Sequence, residues 1–181
     1  MTPYFFGYGS LVNAATHDYP DPRPARLRGW RRVWVQTPAR KAVYLSVEPH
    51  AGTTIKGLIA AVPGADWAAL DLREAAYDRL PSGGAIQHDL SPPPQVSHYA
   101  VKNPQPLDLA EAFIVLSYLD IVIKGYLDVF GTDGVQRFFD TTVGWDTPIL
   151  NDRSDPRYPR YHQLTRAEEA LVDDHLAALL K

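Results

Sequence analysis

The sequence predicts an α+β protein: a closed or nearly closed small sheet formed by the first hundred or so residues, covered by helices formed by the rest. Three observations predict it. Up to residue 101, short apolar runs recur with strand-like alternation between Gly- and Pro-rich turns. Beyond Pro104 and Pro106 the apolar spacing becomes helical, and Ser/Thr/Asp residues precede glutamates at capping distance. The chain of 181 residues is 45% hydrophobic and 22% charged, enough to bury an ordinary core and too apolar for global disorder.

Taken in order, Tyr4-Phe5-Phe6-Gly7-Tyr8 reads as a buried strand running into a tight turn at Gly9-Ser10. Residues 25–35 set Leu27, Trp30, Val33 and Val35 among arginines, a twisted strand with one solvated face. Residues 42–47 and 54–62 read as two further strands. A short helix over 65–72 places Trp67 and Leu70 against the sheet, and residues 73–80 become extended again. Short strands are expected at 85–90 and 95–101, with Ser91-Pro92-Pro93-Pro94 as a rigid turn between them. Asp108 with Glu111 resembles a capping box for a long helix that ends near Gly131, with a second helix over 133–140. Residues 144–161 read as loop. Thr165 with Glu168 is a second capping box, opening a terminal helix with Ala167, Leu171, Leu176, Leu179 and Leu180 inward. The expected division is a core over 1–104 and a helical extension over 105–181 packed on the same domain.

Several function classes are disfavoured by what the chain carries. The formal net charge is -3 with scattered Lys and Arg, which does not give the footprint of a nucleic-acid binder. There is no cysteine, hence no disulfide, thiolate nucleophile or thiolate metal site within the chain. The six histidines lack metal-ligand spacing and read as surface or core-edge residues. Gly7-Tyr8-Gly9-Ser10-Leu11-Val12 lacks the third glycine of a dinucleotide fingerprint, no phosphate loop is present, and Ser10 is not in a hydrolase elbow. Residues 112–123, the longest apolar run, are too short to span a bilayer. The start of the sequence lacks the features of a signal peptide. A soluble protein, cytoplasmic and without a membrane or nucleic-acid partner, is the expectation.

Two features carry chemistry. In Phe6-Gly7-Tyr8-Gly9-Ser10-Leu11, a strand ending in Gly-Ser can aim successive backbone N–H groups into one concavity, suited to a carboxylate. An ordinary strand-to-loop turn would look the same. In Leu70-Asp71-Leu72-Arg73-Glu74-Ala75-Ala76-Tyr77, a lone carboxylate, Glu74, stands where a helix gives way to an extended segment among apolar residues. Such a carboxyl group suits proton transfer. An ion pair to Arg73 or Arg79, or a solvent-facing side chain, is the alternative.

In this order, the two features resemble the γ-glutamylcyclotransferase-like superfamily, including its AIG2-like and ChaC-type branches. The opening Phe6-to-Leu11 motif is similar to the superfamily's N-terminal signature. Ala25-Arg26-Leu27-Arg28-Gly29-Trp30-Arg31-Arg32 is similar to its second strand, Ile55-Lys56-Gly57-Leu58-Ile59 to its next, and Leu70-Asp71 with Arg73-Glu74 and Tyr77 to its catalytic-glutamate segment. The resemblance covers residues 4 to about 101. It implies a small mixed β-barrel with helices, Glu74 as catalytic base and acid, and Gly9, Ser10 and Leu11 holding a γ-glutamyl moiety through backbone amides. It further implies that Tyr8 shapes the pocket with Tyr77 beside the substrate, and that neither cofactor nor metal is needed. The implied activity releases 5-oxoproline from a small-molecule γ-glutamyl amide or peptide by attack of the substrate's own amine. A non-catalytic module holding a small metabolite on the same fold is the alternative, as is a γ-glutamylamine-specific enzyme. The sequence leaves the leaving amine and the oligomeric state open.

Overall fold

A computed structural model of the chain describes residues 1–36, 42–101, 104 and 111–179. The first strand, β1 (Tyr4–Gly7), buries Tyr4, Phe5 and Phe6 alike. Alternate side chains of a strand leave opposite faces, so burial of all three makes β1 an interior strand covered on both sides. It lies antiparallel to β3 (Ala42–Ala61), with Phe6 opposite Ile59, and parallel to β6 (Val96–Ala100), with Phe6 opposite His98. On the far side of β3 runs β2 (Arg23–Val35), flanked by β5 (Ile86–Gln87). On the far side of β6 lies β4 (Asp78–Pro81).

Sequence reading divided β3 into two strands. The structure has one, because both halves pair with the same long β2, from Arg23 opposite Ile59 to Val35 opposite Tyr44. The interruption is local: the register shifts between Arg28 and Trp30, where residues 50–53 bow out opposite Gly29. Nor is the basic stretch of β2 a wholly solvated face, since Arg32 is fully buried. The short helix arrives as α1 (Ala68–Arg73), with Leu70 buried and Trp67 half-buried as expected.

The region after residue 110 departs from expectation at its start. Residues 113–115 are not helical; Phe113–Val115 is strand β7, parallel to β3 and to β9 (Ile149–Leu150), which itself lies in the segment expected to be loop. Ile114 and Val115 are β-branched and fully buried, and their amides and carbonyls are served by two neighbouring strands. Asp108 of the expected capping box lies outside the described residues. Helix α2 (Leu116–Asp140) begins three residues later without a local cap. Its first turn is capped from across the chain: Ser117 donates its amide to Asp152 Oδ1 at 2.8 Å and its hydroxyl to Oδ2 at 2.6 Å. The expected break at Gly131 is present, with φ of 67°, a conformation open to glycine and strained for other residues. Strand β8 (Thr142–Val143) then pairs parallel with β2.

The C-terminal helix α3 (Arg166–Leu179) opens with the expected reciprocal cap. Thr165 donates its amide to Glu168 Oε2 at 2.8 Å, and Glu168 its amide to Thr165 Oγ1 at 3.3 Å. Its inward face is narrower than expected: Val172 is buried, Leu171 and Leu176 are half-buried, and Ala167 and Leu179 are exposed. Leu180 lies outside the described residues. The helix leans chiefly on α2 and is fastened there by Arg153. That side chain forks onto buried Asp120 of α2, with both contacts at 2.8 Å, and reaches Asp173 of α3 at 2.9 Å. No described helix is long and apolar enough to cross a membrane.

Candidate active site

The chain leaves β1 through a tight turn over Ser10–Val12. The Val12 amide closes onto Gly9 O at 3.0 Å and that of Asn13 onto Ser10 O at 3.1 Å. The amides of Ser10 and Leu11 precede these bonds, and neither has an acceptor among the described residues. Four residues hold the turn in place. Asn13 donates its side-chain amide to Ile121 O of α2 at 3.0 Å. Arg32 Nε and the Tyr126 hydroxyl both donate to Tyr8 O, at 3.1 and 3.0 Å. Arg73, at the end of α1, donates to Thr16 O at 2.8 Å and to Ser10 Oγ at 3.3 Å.

The same arginine meets Glu74, Nε to Oε1, at 3.2 Å. Glu74 ends α1: its amide caps Leu70 O at 2.9 Å, and its carbonyl accepts from Tyr77 at 2.8 Å. This chain reversal turns the Glu74 side chain inward, where it is 17% exposed. Arg79, the other partner considered from sequence, pairs instead with Asp71 at 3.2 Å.

Glu74 lines two adjoining chambers. The inner one is walled by Tyr8, Gly9, Ser10 and Leu11 on one side and by Tyr77, Tyr99 and Tyr118 on the other. The outer one shares Ser10, Glu74, Tyr77 and Tyr118 and adds Tyr44, Tyr158, Arg73 and Arg160. Together they form one cleft with the carboxylate at its waist. All six residues singled out from the sequence (Tyr8, Gly9, Ser10, Leu11, Glu74 and Tyr77) therefore line one cavity.

The aromatic wall is held neutral. Burial pushes the Tyr8 hydroxyl well up, and the Glu74 carboxylate adds to the effect. Tyr118 is raised first by burial, then by neighbouring Tyr77, Tyr158 and Glu74. Most of these hydroxyls also have fixed partners: Tyr8 donates to Tyr99 O at 2.5 Å, Tyr77 to Leu45 O at 2.9 Å, and Tyr99 to Asp71 at 2.6 Å. Their contribution is shape. Gly9 is part of that fit, since a Cβ there would lie 2.8 Å from the Tyr118 hydroxyl.

Sequence reasoning missed Tyr99, Tyr118, Tyr158 and Arg160. Tyr118 reads from sequence as a packing residue of a long helix. It does pack, edge-on against Tyr44 at 4.9 Å and Tyr158 at 5.1 Å, and the same ring walls both chambers. Tyr158 and Arg160 come from residues 144–161, the stretch that reads from sequence as loop. Among the described residues, no group of three or more His, Asp or Glu is placed to hold a metal.

No protein-family model and no curated protein matches the sequence. Solved structures do match in shape. A structure described as a γ-glutamyl cyclotransferase superposes with a TM-score of 0.58 at 11% identity, covering 96% of this chain and 99% of that one. An uncharacterized protein from Homo sapiens matches with a TM-score of 0.61 at 12% identity, over 95% of this chain and 98% of that one. The Bacillus subtilis protein YkqA matches with a TM-score of 0.56 at 17% identity, over 79% of this chain but 56% of its own length. The chain has the γ-glutamylcyclotransferase-like fold. The shared fold reaches well beyond residue 101, so the helical part belongs to it.

Proposed function

We propose that the protein is a γ-glutamylcyclotransferase-like enzyme that releases 5-oxoproline from a γ-glutamyl amide or peptide. One observation carries this reading: the Glu74 carboxylate stands at the waist of a two-chambered cleft whose inner end is backed by the amides of Ser10 and Leu11, which have no acceptor among the described residues. A γ-glutamyl group in the inner chamber would set its carboxylate or its reacting carbonyl oxygen on those amides. Its α-amine nitrogen attacks its own γ-carbonyl carbon. Glu74 takes a proton from that nitrogen, the new C–N bond closes the five-membered ring, and the old C–N bond breaks as Glu74 returns the proton to the departing nitrogen. Atoms and charge balance with no outside reagent. Folding the substrate so that amine meets carbonyl supplies much of the acceleration, with effective molarities on the order of 10⁵ M or more. The carboxylate adds roughly 10²- to 10⁴-fold.

The leaving amine would occupy the outer chamber. Arg160 is exposed there and has no ion pair among the described residues, which suits an amine that carries a carboxylate, as an amino acid or peptide does. The reading is tested by 5-oxoproline release from glutathione, γ-glutamyl dipeptides and γ-glutamyl amines, with wild-type and Glu74→Gln protein. Release by wild type, with a loss of at least ~10²-fold in the folded variant, is expected. Equal turnover by the variant removes Glu74 from the chemistry. Silence on every substrate favours a module that only binds.

A further inference from the structure

A second cavity shares no residue with the Glu74 cleft and is built from cations. It has a volume of about 260 Å³ and is lined by Arg26 and Arg32 of β2, Thr54 and Lys56 of β3, and Arg137, Phe138 and Thr141 at the end of α2. Four of these seven residues are cationic and none is acidic. Arg26 and Lys56 are direct cross-strand partners, so their side chains leave the sheet on the same face. Like charges placed directly opposite each other oppose strand pairing unless something negative lies between them.

Arg32 deepens the imbalance. It is fully buried, and its guanidinium donates to Tyr8 O at 3.1 Å, to Thr141 Oγ1 at 2.9 Å, to the Tyr126 hydroxyl at 2.5 Å and to Lys56 O. Every one of these acceptors is neutral. Among the described residues no carboxylate reaches Arg32, and none pairs with Arg26, Lys56 or Arg137. A buried charge satisfied by hydrogen bonds but lacking a counter-ion is costly to keep. Burial accordingly pushes the Arg32 guanidinium down, with Tyr126 acting the other way.

We propose that this cavity is a binding site for a phosphoryl group, with Arg26, Lys56 and Arg137 as its direct contacts and Arg32 as the fixed charge beneath them. A phosphoryl group near neutrality carries close to two negative charges and several acceptor oxygens. It offers more compensation to four cations than a carboxylate, and its oxygens match the fork of a guanidinium. Arg32 also holds the Tyr8 carbonyl. A ligand in this cavity would thus brace the residue that leads into the Gly9-Ser10 turn.

The test is the thermal unfolding midpoint against phosphate concentration, with sodium chloride adjusted to hold ionic strength constant. It is run on wild type, on the double variant Arg26→Gln/Lys56→Gln, and on Arg137→Gln. Arg32 is left intact because its removal would open the core. A saturable rise in wild type is expected. Affinity should fall at least ~10-fold in the double variant, the effect of losing charge-assisted contacts. Phenyl phosphate serves as the second probe: tighter binding than inorganic phosphate marks a phosphomonoester site, and weaker binding marks a site for the free ion. A rise that does not saturate, that chloride alone reproduces, or that persists undiminished in the double variant overturns the proposal. None of these readouts depends on turnover.

Discussion

Glu74 was legible as a residue because its surroundings are encoded locally. A helix of about two turns ends beside it, and the next few residues reverse the chain. Arg160 and Tyr118 were not legible, because each enters the cleft from an element whose position only tertiary packing sets. Tyr158 and Arg160 stand where they do because Asp152 accepts the amide of Arg157 at 2.9 Å while bonding Ser117, and the Tyr158 amide donates to Ser117 Oγ at 3.2 Å. Burial alone would raise the Asp152 carboxyl, but these hydrogen bonds overcome it and hold the group below its ordinary value. The loop is therefore a fixed rim. At this scale the substrate reading predicts a selective defect. Arg160→Ala should raise KM about 10-fold for γ-glutamyl dipeptides, by loss of a charge-assisted contact, with little change for γ-glutamyl amines lacking a carboxylate. Steady-state kinetics on the two substrate classes distinguishes this from a general loss, which would place Arg160 in the scaffold.

Among elements, the strands of the first hundred residues follow from alternation and turn chemistry. The long β3 and the strand over 113–115 do not. Both depend on a partner distant in sequence: β2 bridges the two halves of β3, and β9 gives Phe113–Val115 a reason to be extended. The contact that matters most for the cleft is also between elements. Helix α2 lies so close to the turn after β1 that a Cβ on Gly125 would stand 2.6 Å from Asn13 N and 2.8 Å from its Cα. Backbone atoms cannot swing aside as a side-chain tip can. Gly125→Ala must therefore push the helix off the turn, for a stability cost of about 1–3 kcal/mol by overpacking. The Asn13–Ile121 bond and Tyr118 lie on that helix, so the cleft should widen as well. Urea unfolding measures the first effect, and the ratio of kcat/KM between variant and wild type measures the second. A variant of unchanged stability would mean that α2 approaches the turn less closely than described.

For the molecule as a whole, composition predicted a folded core, and the helical part beyond residue 110 supplies walls of the same cleft that the sheet begins. Composition was silent on which polar groups that core would enclose. The histidines read as surface or core-edge residues, yet His98 on β6 is 1% exposed. Its ring lies edge-on to Trp30 at 4.8 Å, Nδ1 meets Ser82 Oγ at 2.8 Å, and Nε2 has no partner among the described residues. Burial lowers its pKa from 6.5 to about 4. The unfolded chain then binds a proton between pH 6.5 and 4 that the folded chain refuses. Stability from this group is complete above pH 6.5 and is lost as the pH falls toward 4. At ~1.4 kcal/mol per pH unit the window is worth about 3 kcal/mol, a large share of the stability of an ordinary domain. Asp152, held low, weakens the fold in the same direction on acidification, whereas Asp120, raised by burial against the pull of Arg153, acts the opposite way. Comparison with His98→Gln separates these contributions, because glutamine cannot titrate and the carboxylates stay in place. Urea unfolding at pH 7, 5.5 and 4.5 should show wild type losing stability steeply while the variant, weaker at pH 7, loses much less. Parallel losses in the two proteins would assign the acid sensitivity to the carboxylates and leave His98 able to shed its burial by moving toward water.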